Sequence, residues 1–166
     1  MQLVRIVTHH KWRQPAAELF SRENVAAMGW AVVGDLRGQT SEQIELTLRR
    51  ERLYGRDKAV NARSQLLALR DKVRKRNIVF AYQCDNIVAL VGTVTDEYEF
   101  NDTNELGNPG GQFKYPQQIK VAWRDKPRAF PRSYLPGLSD WLARRGTIAF
   151  HNYDGESLEK ALRKIP

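Results

Sequence analysis

NIVFAYQCDNIVALVGTVT, residues 77–95, is the stretch on which the fold turns. Its two halves, Ile78–Gln83 and 87–95, are rich in β-branched and aromatic residues, as strands require. Cys84, Asp85 and Asn86 form a short polar link between them that suits a hairpin turn. Immediately upstream, Ala62, Leu66, Leu69 and Val73 fall at i, i+4, i+7 and i+11, a single stripe along a helix. A helix with one apolar seam therefore feeds a hairpin.

Working outward, Thr40 and Gln43 form a capping-box pattern that opens an earlier helix, running to about Leu53 and broken at Tyr54-Gly55. Residues 3–7 predict a first strand. Pro15 suits a helix start within the ambiguous run 12–20, and Ser21 is placed to cap a short helix over 21–28, ended by Gly29. Trp30 to Val33 then predicts a second strand. Downstream, residues 101–112 (NDTNELGNPGGQ) form a polar loop. Ile119, Val121 and Trp123 alternate with Lys120, Ala122 and Arg124 as a half-buried strand. A helix over 138–145, a strand over 147–150 and a last helix capped by Asp154 follow. The pattern predicts a single α+β domain over residues 1–166, with about six strands in a small curved sheet or barrel flanked by helices.

The chain has 166 residues, 42% of them hydrophobic and 28% charged, which suits one domain with a sizeable core. No apolar run approaches the roughly 18 residues of a membrane span, and MQLVRIVTHH lacks a signal-peptide pattern. Cys84 alone excludes an internal disulfide, so a reducing, cytoplasmic home is expected.

The net charge of +8 is concentrated. Arg49, Arg50, Arg52, Arg56, Lys58, Arg63, Arg70, Lys72, Arg74, Lys75 and Arg76 face only Glu51, Asp57 and Asp71 within their own segment, and the rest of the chain balances to zero. Such a segment predicts contact with nucleic-acid phosphates through counterion release.

Signals for catalysis are sparse. Neither the G-x-x-x-x-G-K loop nor the G-x-G-x-x-G turn is present, and no G-x-S-x-G elbow. His9, His10, His151 and Cys84 lack zinc-site spacing. Asp96 and the later Gln118-Ile119-Lys120 loosely suggest a metal-dependent nuclease, but Gln118 is a weak oxygen ligand. The expectation is a binder rather than an enzyme, with no cofactor and no metal. Among the aromatic residues, Trp123 and Trp141 predict core positions, whereas Trp30, at the junction between a helix end and a strand start, suits a core position and a cleft mouth equally.

The order of these motifs resembles the PUA-like superfamily, in particular its EVE and YTH branches. Asn61-Ala62-Arg63, then Leu66, then Asn77-Ile78-Val79-Phe80-Ala81-Tyr82 is similar to the EVE pattern, with Arg76-Asn77 in place of the expected Gly-Asp. Val91-Gly92-Thr93-Val94 resembles the strand that follows, residues 24–30 resemble the YTH helix that ends in a cage tryptophan, and the strand 119–123 resembles the closing strand. The resemblance spans about residues 1–125. It implies a reader of methylated bases, in which a flipped base enters an aromatic cage: Trp30 as one wall, Tyr98, Phe113 or Tyr115 as another, and the segment from His9 to Trp12 on the border. Ala31 lacks the hydroxyl often found after that tryptophan. Similar domains form the N-terminal recognition part of McrB-type restriction systems, which implies DNA rather than RNA as the partner. It also implies N6-methyladenine or 5-methylcytosine as the ligand, and a fused or associated GTPase motor and nuclease. An RNA-binding PUA-like domain is the alternative.

Overall fold

The computed structural model describes residues 1–8, 13–51, 55–83, 85–103, 105–106 and 113–166. Its centre is a mixed seven-stranded sheet. Strands β1 (Gln2–Val7), β2 (Val25–Met28), β3 (Ile78–Gln83), β4 (Ile87–Phe100), β7 (Gln117–Trp123) and β9 (Ile148–Asn152) lie in the order β2-β7-β4-β3-β1-β9, and the two-residue β8 (Phe130–Pro131) pairs with the start of β4. Only β1 and β3 run parallel; the other pairs are antiparallel. The short strands β5 (Glu105–Leu106) and β6 (Phe113–Lys114) form a separate ladder.

The helices are α1 (Arg13–Glu23), α2 (Ser41–Arg50), α3 (Arg56–Lys72), α4 (Ser139–Leu142) and α5 (Gly155–Leu162). The α+β class, the 78–83 strand and the Asp154 cap, which accepts from Ser157 N at 2.8 Å, match the sequence expectation. So does the capping box at Thr40. The α3 stripe is likewise buried at Ala62, Leu66, Leu69 and Val73.

Alternation along the central strands splits the core in two. Val4, Ile6, Val79 and Ala81 face one side, where α1, β2 and the Leu69 end of α3 pack. Leu3, Val7, Ile78, Phe80 and Tyr82 face the other, covered by residues from Phe130 to Ile165. A third cluster joins Leu36, Ile44 and Leu48 to Ala59, Ala62 and Leu66, fastening α2 onto α3.

Three expectations are corrected. The helix expected over 21–28 is instead the end of α1 followed by β2. Asn24, at φ 53°, turns the chain out of the helix, and all four residues of β2 are buried against β7. The strand expected from Trp30 to Val33 is a left-handed residue (φ 62°, ψ 47°) followed by a single 3-10 turn, Ala31–Val33. Of the two forms expected, sheet or barrel, the barrel is not realised: the sheet is open, with seven strands against the expected six or so. Register irregularities interrupt the β3–β4 and β4–β7 pairings, and such irregularities bend strands. Tyr115, just before β7, donates its hydroxyl to Thr8 O, just after β1, at 3.2 Å. β4 and β3 lie between those strands, so in a flat sheet they would stand about 14 Å apart.

At Gly92 the backbone of β4 lies tightly against β7. A β-carbon there would sit 2.5 Å from Val121 Cγ1 and 2.7 Å from Ala122 O, so only hydrogen fits. Gly92→Ala should therefore destabilise the fold by about 1–3 kcal/mol through overpacking. Urea unfolding should show a lower midpoint at unchanged m-value.

Candidate nucleic-acid interface

The basic segment folds as the C-terminal turn of α2, the whole of α3 and the turn into β3. Its bases are not equally free. Glu45, outside the segment, accepts from both Arg49 and Arg63. Arg70 is a structural residue: its guanidinium donates to Leu36 O at 2.7 Å and Gln39 O at 2.8 Å while pairing with Asp71. The Arg70 hydrogen bond holds the Asp71 carboxyl below the ordinary aspartate range. Arg74 folds back onto Val73 O and Asp71 O, satisfying carbonyls at the end of α3. Lys75 pairs with Asp96 at 3.2 Å, and Arg50 approaches Glu51 at 3.6 Å. Among the described residues, Arg56, Lys58, Lys72 and Arg76 are exposed and make no ion pair. Arg52 lies outside the described residues. The sequence count overstated the available charge because Glu45, just before the segment, and Asp96, well beyond it, both pair with its bases.

The aromatic candidates gather near the start of β7. Trp30 and Tyr98 are both half-buried, and each packs against the sheet core and the α2–α3 core, so they occupy the seam between the two. Gln117, fully buried, ties this seam together. Its side-chain oxygen accepts from the Tyr98 hydroxyl at 2.6 Å; its amide donates to Gly34 O at 2.9 Å, with a longer approach to Trp30 O at 3.5 Å. Leu36 N donates to the same Tyr98 hydroxyl at 2.9 Å. Arg37 bonds Asp35 and holds its carboxyl below the aspartate range. The loop 29–36 is thus stitched to β4 and β7 by one amide and one phenol. Nothing in the local sequence marked Gln117; a glutamine starting a buried strand was the available signal.

Tyr115 is 4% exposed and meets Phe20 edge-on at 6.0 Å, so its ring belongs to the core under the seam. A side-chain carbon on Gly29 would lie 3.8 Å from Lys114 O, which places the β6 end beside the Trp30 loop. The remaining cage candidates, Trp12 and the Phe113 side chain, lie outside the described residues, as do His9 and His10. Trp123 is anchored by its indole N–H to Phe20 O at 2.8 Å, and Trp141 is buried against Phe80.

The residues of the nuclease alternative do not form a carboxylate cluster. Asp96 pairs with Lys75, while Glu99 accepts from Gln118 at 3.2 Å and pairs with Lys120 at 3.5 Å. Among the described residues, no three His, Cys, Asp or Glu side chains are grouped to hold a metal. None of the described helices is long and apolar enough to cross a membrane.

The sequence profile of a domain of unknown function, DUF8426, matches residues 6–136. The chain belongs to this family. No curated protein matches the chain. The DUF8426 range takes in the seam, α2, α3 and β7, and it stops before α4, β9 and α5, which supply much of the second core.

Tyr98→Phe removes a hydroxyl that both donates and accepts in the seam. It should cost about 1–3 kcal/mol, because Leu36 N–H and Gln117 lose a buried partner. Burial pushes the Tyr98 hydroxyl up to about 12 and raises that of Tyr115 further. Above pH about 10 the unfolded chain loses these protons while the folded protein keeps them, so stability falls as pH rises toward 12. Denaturation between pH 9 and about 12 should show that fall, shallower in Tyr98→Phe.

Proposed function

We propose that this protein is a non-catalytic reader of a methylated base in DNA, with a PUA-like fold of the EVE and YTH type. A strand is gripped along α3, and the modified base is extruded into a pocket walled by Trp30. The observation that carries the reading is the conformation of Trp30. A bulky aromatic residue in the left-handed region is uncommon and costs about 1–2 kcal/mol. Here the loop that carries it is tied by Gln117 and Tyr98, and no glycine relieves the position. Strain maintained by surrounding structure concentrates at ligand-binding positions. The half-buried indole stands at a seam between two cores, with the β6 end alongside.

The energetics are consistent with such a role. Extruding a base costs a few kcal/mol. Stacking contributes about 1–3 kcal/mol per base, and phosphate contacts add to it. Burying one methyl group between apolar walls adds roughly 0.8 kcal/mol. Discrimination by the cage alone should therefore lie at about tenfold to a few hundredfold. Phosphate contacts supply affinity without information on modification, so grip and selectivity reside in different residues. A motor or nuclease partner, as in McrB-type systems, would convert binding into restriction.

The test is a titration of one duplex, unmodified or carrying N6-methyladenine or 5-methylcytosine, against wild type and Trp30→Ala, with a matched RNA in parallel. One methylated duplex should bind at least about tenfold more tightly than the unmodified one. Trp30→Ala should lose that preference while keeping its affinity for unmodified DNA within about threefold, since phosphate contacts are untouched. Equal discrimination by the variant would return Trp30 to a purely structural role. Tighter binding of the RNA would favour the RNA-reader alternative.

A further inference from the structure

Arg5 interrupts the apolar run of β1, yet its side chain is 1% exposed. On the Leu3–Val7 face of the strand it reaches under the ring of Tyr82, 6.0 Å from the ring centroid. Its guanidinium donates to Leu142 O at 3.0 Å and to the carbonyls of Arg144 and Gly146. One buried cation therefore gathers three carbonyls, from the last residue of α4 and from the turn that leads to β9. With those carbonyls drawn inward, the Arg144 and Arg145 side chains remain exposed, and neither makes an ion pair among the described residues. Together with Tyr82 and Asn86 they line a cavity of about 350 Å³ without a carboxylate in its wall.

The same turn is fastened to the middle of α3. Gln65 accepts from Thr147 N and, at 3.3 Å, from Ile148 N, while its amide donates to Asn61 at 3.2 Å. Lys58, Gln65 and Lys72 stand at i, i+7 and i+14, on one face of the helix. The two free lysines therefore stand about 10 Å along the axis to either side of Gln65, the residue on which the end of the turn docks. The whole ridge is about 21 Å long, the rise of roughly six base pairs.

We propose that Lys58, Lys72, Arg144 and Arg145 form one phosphate-binding ridge, with the Arg144–Gly146 turn as its central subsite, pre-shaped by Arg5 and Gln65. The ligand chemistry is the phosphate oxyanion, and the source is the backbone of a nucleic-acid strand. The ridge rests on the nucleic-acid reading above but is independent of the cage, because it recognises phosphates irrespective of base modification.

The experiment measures affinity for an unmodified DNA duplex between 50 and about 300 mM salt, a range over which counterion release dominates. It compares wild type, Arg144→Ala/Arg145→Ala, Lys58→Ala/Lys72→Ala, and Arg22→Ala/Lys164→Ala as a distant charge control. Each ridge pair should flatten the slope of log K against log salt by about 2, at about 0.9 per phosphate contact. The control pair should leave the slope unchanged. An Arg144→Lys/Arg145→Lys variant should restore most of the slope. A slope unchanged in Arg144→Ala/Arg145→Ala, with wild type binding well, would overturn the ridge and leave the reader proposal standing. Failure of wild type to bind the duplex at 50 mM salt would overturn both. A parallel amide NMR titration with inorganic phosphate follows Gly146 and Thr147. Perturbation there without duplex binding would identify a small-anion site and overturn the backbone assignment.

Discussion

The long pairing of β4 with β7 governs the rest of the molecule. It runs from Gly92 opposite Trp123 to Phe100 opposite Gln117, with register shifts on either side of Asp96. Such irregularities bend and twist a strand, and here they curl the sheet until the Tyr115 hydroxyl reaches the carbonyl at the end of β1. That curl closes the first core around β2 and α1. It also delivers Gln117 to the position from which one buried amide can hold the Trp30 loop. Close approach at Gly92 is the local condition for the pairing, since no larger residue fits beside Val121 and Trp123.

A buried amide is an economical device at such a seam. Gln117 offers an acceptor and donors on one short side chain, and the loop supplies backbone carbonyls that must be satisfied once water is excluded. The tyrosine hydroxyl completes the exchange by donating to Gln117 and accepting from Leu36. The consequence is a loop whose left-handed tryptophan is fixed from behind while its indole stays half exposed. Arg5 does the equivalent at the opposite face: a charge buried in a strand donates to three carbonyls, from the last residue of α4 and from the turn after it.

Much of the fold was legible in residues 40–123. The α3 stripe, the Thr40 cap and the 78–83 strand follow from periodicity and capping chemistry, which act over a few residues and survive without tertiary information. The region 21–33 did not read correctly, for a physical reason. Val25-Ala26-Ala27-Met28 is short and without β-branched emphasis after its first residue, so its strand state is imposed by pairing with β7. The loop that carries Trp30 is tied down by Gln117 and Tyr98, and both lie far along the chain.

The candidate site divides in the same way. By itself the sequence determined where the excess positive charge lies and that a helix over Ala62 to Val73 carries part of it. Those properties are written in composition and local spacing. Only the tertiary structure decided which of those charges are free. Asp96 folds onto Lys75, and Glu45 of α2 meets Arg63 of α3, while the turn that carries Arg144 and Arg145, far outside the basic segment, docks onto α3 at Gln65. Ion pairing and field strength depend on separation in space, and a linear chain does not record that distance until the sheet curls and the last turn docks onto α3.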